Sequence, residues 1–148
     1  MSVSRAFDKA RGEGRAALVG YLPAGFPDVA GGIDALTTMV EAGCDVIEVG
    51  LPYSDPVMDG PTIQAAAQQA LEGGVRTTDV LRTVEAVAAT GVPALVMTYW
   101  NPVERYGVDR FAADLAATQA CASSGTRSGV ISPAPPAAAR SAANRAAP

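Results

Sequence analysis

Asp45-Val-Ile-Glu-Val-Gly-Leu-Pro-Tyr-Ser-Asp-Pro-Val-Met-Asp-Gly-Pro-Thr-Ile-Gln64 joins a predicted strand to a loop that carries several carboxylates. The residues up to Val49 alternate as a strand does, which places Glu48 on the same otherwise apolar face as Val46. A carboxylate that points into a packed interior is unfavourable unless it is paired, solvated or protonated. Glu48 is therefore a candidate for proton transfer, and pairing with an arginine or a backbone donor is the structural alternative.

The loop after this strand is rich in proline, aspartate and glycine, which are turn formers. It carries Tyr53, Asp55 and Asp59 just beyond the carboxyl end of the strand, where parallel α/β folds bind their ligands. Pro61 begins a helical pattern, so Asp59 lies beside a helix N-terminus. Capping of that helix explains Asp59 as well as catalysis does.

Apolar runs separated by turn residues predict an alternation of strands and helices along the chain. The predicted strands span residues 16–22, 44–49 and 93–99. The predicted helices run from an Asp28 cap to Gly43, from Pro61 to about Gly73, from a cap at Thr77 or Thr78 to Gly91, and over 108–117. Three strand–helix units with apolar strands indicate a parallel sheet with right-handed crossovers, an α/β fold.

The residue inventory leaves carboxylates and tyrosines as the groups available for chemistry. The sequence contains no histidine, which excludes Ser-His and Cys-His nucleophiles and imidazole metal sites. The single lysine, Lys9, precedes the first strand and argues against a Schiff-base aldolase. Cys44 and Cys121 match no CxxC or zinc spacing, so no metal is expected.

Charge and hydropathy predict a cytoplasmic protein that binds neither nucleic acid nor membrane. The net charge is −4 and the basic residues are scattered, so no nucleic-acid surface is indicated. Residues 1–15 lack the apolar core of a signal peptide, and the run Val92–Met97 is too short to span a bilayer. Two cysteines without a secretory signal fit a reducing compartment.

Three motifs together closely resemble the tryptophan synthase α subunit. They are the stretch already quoted, Gly20-Tyr-Leu-Pro-Ala-Gly-Phe-Pro-Asp28 and Met97-Thr-Tyr-Trp-Asn-Pro102, and the resemblance runs from about residue 15 to 115. It implies a (β/α)8 TIM barrel that cleaves indole-3-glycerol phosphate to indole and glyceraldehyde 3-phosphate by a retro-aldol reaction in tryptophan biosynthesis. The activity implied is that of a lyase.

The resemblance also implies roles for particular residues. The glutamate and aspartate that match Glu48 and Asp59 are the catalytic pair of the family. Tyr21 and Tyr99 stand at the carboxyl ends of predicted strands and match aromatic residues that line the indole pocket. A place on the rim of the barrel is the alternative for each tyrosine.

A partner follows from the same resemblance. In the family, the loops after the second and third strands meet a β subunit, and two α and two β subunits form the complex. The matching positions are Tyr53, Asp55, Pro56, Asn101 and Pro102. The pyridoxal phosphate of the family belongs to the β subunit, so no cofactor is expected in this chain.

The alternative function is a catalytically inactive chain that keeps only part of this interaction surface. Another phosphate-handling barrel enzyme fits the fold but not the loop motif.

The length departs from the family. A (β/α)8 barrel typically needs about 250 residues, and the 148 residues of this chain predict only its first three βα units, within residues 1–118. The loops that hold phosphate in such barrels usually follow strands seven and eight. Three units leave one sheet face and a strand edge exposed, which predicts poor solubility, or a molten or oligomeric state.

Residues 119–148 differ in composition from the rest of the chain. They are rich in Ala, Ser, Pro, Arg and Gly, with three arginines and no acid, and they do not resemble the family. A frameshift near Thr118 explains this change, and a genuine disordered, low-complexity tail is the alternative.

Overall fold

The computed structural model describes residues 2–118, in which three parallel strands alternate with six helices. The elements are α1 Val3–Gly12, β1 Val19–Pro23, α2 Val29–Glu41, β2 Val46–Gly50, α3 Pro61–Glu72, α4 Thr77–Ala89, β3 Ala94–Met97, α5 Trp100–Tyr106 and α6 Val108–Ala117. The strands form one sheet in the order β1-β2-β3. The predicted α/β class is confirmed. The predictions for residues 119–148, including Cys121, lie outside the described residues.

The central strand β2 sets the register of the sheet. Glu48 is paired with Tyr21 of β1 and Leu95 of β3, and all three strands run parallel. Paired residues of parallel strands point to the same face, so these three side chains form one row across the sheet. The next row toward the carboxyl ends contains Gly50 between Pro23 and Met97. The carboxyl ends of all three strands therefore lie at one edge.

The other face of the sheet forms the hydrophobic core. Helices α2 and α4 pack against this sheet and against each other. On this side of the sheet, the strands and these two helices contribute aliphatic side chains that are each at most 1% exposed: Leu36, Ile47, Val49, Val80, Val84 and Val87. Complete burial of one such side chain contributes about 1.5–3 kcal/mol. The core therefore holds the two helices on one side of the strands.

The face that carries Glu48 is covered less completely. Val46 on this face is 1% exposed, whereas Val19 is 41% exposed and Met97 is 53% exposed. Apolar strand positions of this kind fill the interior when a sheet closes into a barrel. The exposed apolar face expected from the sequence is thus present in residues 2–118. The predicted poor solubility stays a prediction.

Helix capping agrees with the sequence at one site and differs at another. The Asp28 carboxylate accepts a hydrogen bond from Gly31 N at 2.8 Å, so it caps α2 as predicted. The predicted cap of α4 at Thr77 or Thr78 is wrong, because the N-cap is Arg76. The backbone N–H of Arg76 donates to the Asp79 carboxylate at 2.9 Å. The side chain at position N3 thus stabilises the helix start, which removes the need for a hydroxyl cap.

Two helices were not predicted from the sequence. Helix α1 buries only Ala6 and Ala10, a small apolar pair that gives a weak periodic signal. Helix α5 has seven residues and contains Pro102, which usually signals a break. Proline is tolerated there because the first N–H groups of a helix have no intrahelical partner. Val103 of α5 is completely buried and attaches this short helix to the core.

An ion pair connects the segment before β1 to the start of β2. The Arg15 guanidinium donates to both carboxylate oxygens of Asp45, at 2.6 and 2.7 Å. Asp45 also accepts from Leu18 N at 2.8 Å, and its side chain is only 7% exposed. The hydrogen bonds from Arg15, then that from Leu18, hold the pKa of the Asp45 carboxyl well below its usual range. This contact fixes where the first two strands begin.

We expect Asp45→Asn to lower the unfolding temperature, because an amide cannot replace the charged, bidentate interaction with Arg15. The folded-state pKa of Asp45 is depressed, so its contribution is complete above the unfolded pKa of about 3.9 and is lost as the pH falls below it. Thermal unfolding followed by circular dichroism should show a difference between the two proteins that is largest at neutral pH. This difference should shrink below about pH 4.

Asp8→Asn is the matched control. Its carboxylate pairs with Arg11 at 3.1 Å on the surface of α1, where the Asp8 side chain is 69% exposed. Surface pairs of this kind contribute little, so the unfolding temperature should stay nearly constant. Equal effects of the two substitutions would contradict the role assigned to Asp45.

Candidate active site

Glu48 occupies the middle of β2 on the incompletely covered face of the sheet. Its side chain is half-buried between the neighbouring positions Tyr21 and Leu95. Across residues 2–118 the carboxylate takes part in none of the ion pairs, which involve other acids. A structural role through pairing with an arginine is therefore not observed in the described part of the chain.

Asp59 lies at the end of the loop after β2, directly before Gly60. Gly60 is the N-cap of α3 and no side chain caps this helix, so helix capping does not explain the Asp59 carboxylate. Asp59 is half-buried. It lines a cavity of about 90 Å³ together with two tyrosines, two methionines, a leucine and a threonine: Tyr21, Leu51, Met58, Met97, Thr98 and Tyr99.

Tyr21 lies across the end of the central strand. A Cβ atom added to Gly50 would stand 2.8 Å from Tyr21 Cζ and would meet its hydroxyl. Only glycine leaves room for the ring in this position. Burial, then the negative charges of Asp59 and Glu48, raise the pKa of Tyr21 to about 12. The hydroxyl therefore stays protonated at neutral pH. Its pKa depends on the charges of both predicted catalytic carboxylates.

Tyr99 links the carboxyl end of β3 to the loop after β2. Its hydroxyl accepts a hydrogen bond from Met58 N at 3.1 Å. Its ring centre is 5.1 Å from that of Tyr53, with an angle of 33° between the planes. Tyr99 thus lines the cavity beside Asp59 and also supports the loop that carries Asp59.

The residues predicted to meet a partner are only partly brought together. Asn101 Nδ2 donates to the Tyr53 hydroxyl at 2.8 Å, which joins the start of α5 to the loop after β2. Asp55 is exposed and accepts a hydrogen bond from Ser54 Oγ at 2.8 Å. Tyr53 and Pro102 line a larger cavity of about 410 Å³ that neither Glu48 nor Asp59 lines.

Four lining residues of the small cavity were not predicted from the sequence to line a pocket: Leu51, Met58, Met97 and Thr98. Each lies inside a motif already quoted. Leu51, Met97 and Thr98 lie at or just after the carboxyl end of a strand, and that position was the signal that would have identified them. Met58 lies further along the loop after β2, where no such signal exists.

Within residues 2–118, no cluster of three or more histidine, cysteine, aspartate or glutamate side chains is arranged to hold a metal ion. No helix in that range is long and apolar enough to cross a membrane.

Comparison with known proteins decides the family. The sequence model of the tryptophan synthase alpha chain matches residues 7–146. The chain belongs to the tryptophan synthase alpha chain family. The alpha chain of Salinispora arenicola is 73% identical over 112 residues, which cover 76% of this chain and 42% of that protein. The alpha chain of Nocardia farcinica is 66% identical over 115 residues, which cover 78% of this chain and 43% of that protein.

Solved structures agree with this family. Tryptophan synthase from M. tuberculosis, in an aminoacrylate-bound form, has a TM-score of 0.78 and 59% identity, and the match covers 81% of this chain and 49% of that chain. Its likeness confirms that the three βα units are those of a TIM barrel. The chain spans about two fifths of the length of the curated relatives it matches, with 42% for the one from S. arenicola. The predicted boundary near Thr118 stays a prediction.

We expect Gly50→Ala to displace the Tyr21 ring from the cavity, since the new methyl group would occupy its space. A displaced ring is solvated and more distant from the carboxylates. The pKa of Tyr21 should therefore fall from about 12 toward the ordinary value of about 10. Titration of tyrosines labelled with ¹³C at Cζ, followed by NMR, resolves this change, and Tyr21→Phe assigns the signal.

Gly12→Ala is the control for this titration. Nothing lies within 4 Å of a Cβ atom added to Gly12, at the end of α1. The Tyr21 titration should be unchanged in this variant. An unchanged titration in Gly50→Ala as well would mean that Gly50 does not determine the position of the ring.

Proposed function

We propose that this chain carries the catalytic carboxylates of an indole-3-glycerol phosphate lyase, which releases indole and glyceraldehyde 3-phosphate. The observation that carries the proposal is the grouping at the carboxyl edge of the sheet. Asp59, Tyr21 and Tyr99 line one cavity, and Glu48 neighbours Tyr21 on the same sheet face. Functional groups of TIM barrels occupy this edge of the strands.

Glu48 is proposed as the group that moves protons. Cleavage of the bond between indole C3 and the glycerol chain needs a proton at C3 and the removal of one from the adjacent hydroxyl. Glu48 gives the first proton and takes back the second, so its own proton count is unchanged over the reaction. The bonding electrons return to the indole ring, and the hydroxyl carbon becomes the aldehyde. Half-burial on an apolar face supports this role, because it limits competition from water.

Asp59 is proposed as the group that stabilises charge. Protonation at C3 places positive charge on the indole nitrogen, and a carboxylate that accepts a hydrogen bond from the indole N–H is favourable at that moment. The position of Asp59 in a cavity with two tyrosine rings supports this assignment. The rings of Tyr21 and Tyr99 offer flat apolar surfaces for the indole.

A second proposal concerns the partner. The hydrogen bond between Asn101 and Tyr53 joins the loop after β2 to the start of α5, and both segments contain residues proposed to contact a tryptophan synthase β subunit. Asp55, Pro56 and Pro102 complete this proposed surface. The pyridoxal phosphate of the complex is assigned to the β subunit. A chain that stimulates the β subunit without cleaving indole-3-glycerol phosphate would perform this function alone.

We expect Glu48→Gln to lower the rate of indole release by about 10² to 10⁴-fold, because an amide cannot transfer the proton. Asp59→Asn should lower it by about 10²-fold, since it removes the charge that offsets the indole cation. The assay measures indole from indole-3-glycerol phosphate with the full chain, with and without added β subunit. The S. arenicola alpha chain is the positive control.

Glu41→Gln is the matched control for these substitutions. Glu41 ends α2 and is exposed, so its loss should leave the rate unchanged. An unchanged rate in Glu48→Gln or Asp59→Asn would refute the role of that residue. A wild-type chain that releases no indole under either condition would refute the lyase proposal.

We expect Tyr53→Phe to weaken stimulation of the β subunit. The substitution removes the hydroxyl that accepts from Asn101 but keeps the ring beside Tyr99. One such hydrogen bond is worth about 1 kcal/mol, so half-maximal stimulation should need about five-fold more chain. The measurement is tryptophan formation from indole and serine by the β subunit as the chain is titrated.

Tyr106→Phe makes the same chemical change at the opposite end of α5 from Asn101. The Tyr106 hydroxyl donates to the Asp114 carboxylate at 2.7 Å. This control should leave the amount of chain needed for half-maximal stimulation unchanged. A curve that is also unchanged in Tyr53→Phe would contradict the proposed contact surface.

A further inference from the structure

Gln64 in the first turn of α3 makes two contacts with the loop that precedes this helix. Its side-chain nitrogen Nε2 donates to the backbone oxygen of Asp59 at 2.8 Å and to that of Pro56 at 3.2 Å. The backbone N–H of Asp59 donates to the same Pro56 oxygen at 3.1 Å. The side chain of Gln64 therefore closes a turn whose last residue is Asp59.

Few other contacts hold this turn. Met58 N donates to the Tyr99 hydroxyl at 3.1 Å, which attaches the turn to β3. The apolar side chains at its tip, Val57 and Met58, are 84% and 85% exposed. Burial of apolar surface therefore contributes little to the position of the turn, and polar contacts determine it.

We propose that Gln64 is a positioning residue for Asp59. The amide of Gln64 holds the main chain of Asp59 from the helix, while Tyr99 holds Met58 from the sheet. These two contacts determine where the Asp59 carboxylate stands in the cavity with Tyr21. That the carboxylate is then used in catalysis rests on the function proposed above. The placement itself is a property of the chain without substrate.

Gln64→Glu separates positioning from general support of the helix. Glutamate has nearly the same shape and helix propensity as glutamine, and a negative charge in the first turn is favourable to the helix dipole. A role limited to the helix thus predicts no loss from this substitution. A carboxylate, however, has no donor for the oxygens of Pro56 and Asp59, and it repels both. Positioning therefore predicts release of the turn.

The experiment is amide hydrogen exchange of the full chain, followed by NMR without substrate. In Gln64→Glu we expect protection of the Met58 and Asp59 amides to fall about ten-fold, the size that corresponds to one or two hydrogen bonds. Protection of the Ile47 and Leu51 amides should not change. The Ile47 amide donates to the backbone oxygen of Pro93, directly before β3, and the Leu51 amide donates to that of Met97 at the end of β3. Gln64→Ala, which adds no charge, should reduce protection at the same two loop amides.

Gln68→Glu is the matched control on the same helix. Gln68 Nε2 donates to the Glu72 carboxylate at 2.9 Å and makes no hydrogen bond to the turn, so exchange at Met58 and Asp59 should be unaffected. Unchanged protection of these amides in Gln64→Glu would overturn the proposal. Equal loss at Ile47 and Leu51 would also overturn it, since Gln64 would then support the whole fold.

The kinetics of indole release test separately whether the position of Asp59 matters for catalysis. If the wild-type chain releases indole, Gln64→Glu should lower kcat about ten-fold with a smaller change in KM, because Asp59 acts on charge that develops during the reaction. Released loop amides with an unchanged kcat would overturn the link to catalysis. If the wild-type chain releases no indole, the proposed function fails, and the exchange experiment still decides whether Gln64 positions Asp59.

Discussion

The parallel register of β2 between β1 and β3 is the constraint on which the site depends. It places Tyr21, Glu48 and Leu95 in one row and brings the carboxyl ends of three strands to one edge. A shift of β2 by one residue would turn Glu48 into the helix-covered core and would remove both Ile47 and Val49 from it. The free energy of burying those apolar side chains therefore also determines the face on which the carboxylate lies.

The loop after β2 connects the proposed reaction to the proposed partner surface. Asp59 and Asp55 belong to this one loop, and Tyr99 contacts it through the Met58 amide and the Tyr53 ring. Asn101, which follows β3, reaches the same loop through the Tyr53 hydroxyl. A partner that shifts these contacts would therefore move the turn that carries Asp59. Catalysis and assembly would then be coupled through main-chain position rather than through a change of side-chain chemistry.

Regular elements were predictable where the apolar pattern was strong. The three strands and the helices α2, α3, α4 and α6 all follow from apolar runs and turn residues, with bounds that differ by a few residues. Helix α1 was missed because two alanines form its buried face, and α5 because Pro102 resembles a helix breaker. The start of α4 was misjudged since Asp79 stabilises it from within the helix.

The sequence by itself determined the family, the alternation of strands and helices, and the face on which Glu48 lies. These follow from local motifs and from periodicity, which need no knowledge of distant contacts. Only the tertiary structure decided that Asp59 does not cap α3, that Tyr21 lies over Gly50, and that Gln64 holds the main chain of Asp59. Each of these depends on which backbone and side-chain atoms meet in space, and sequence spacing alone does not specify that meeting.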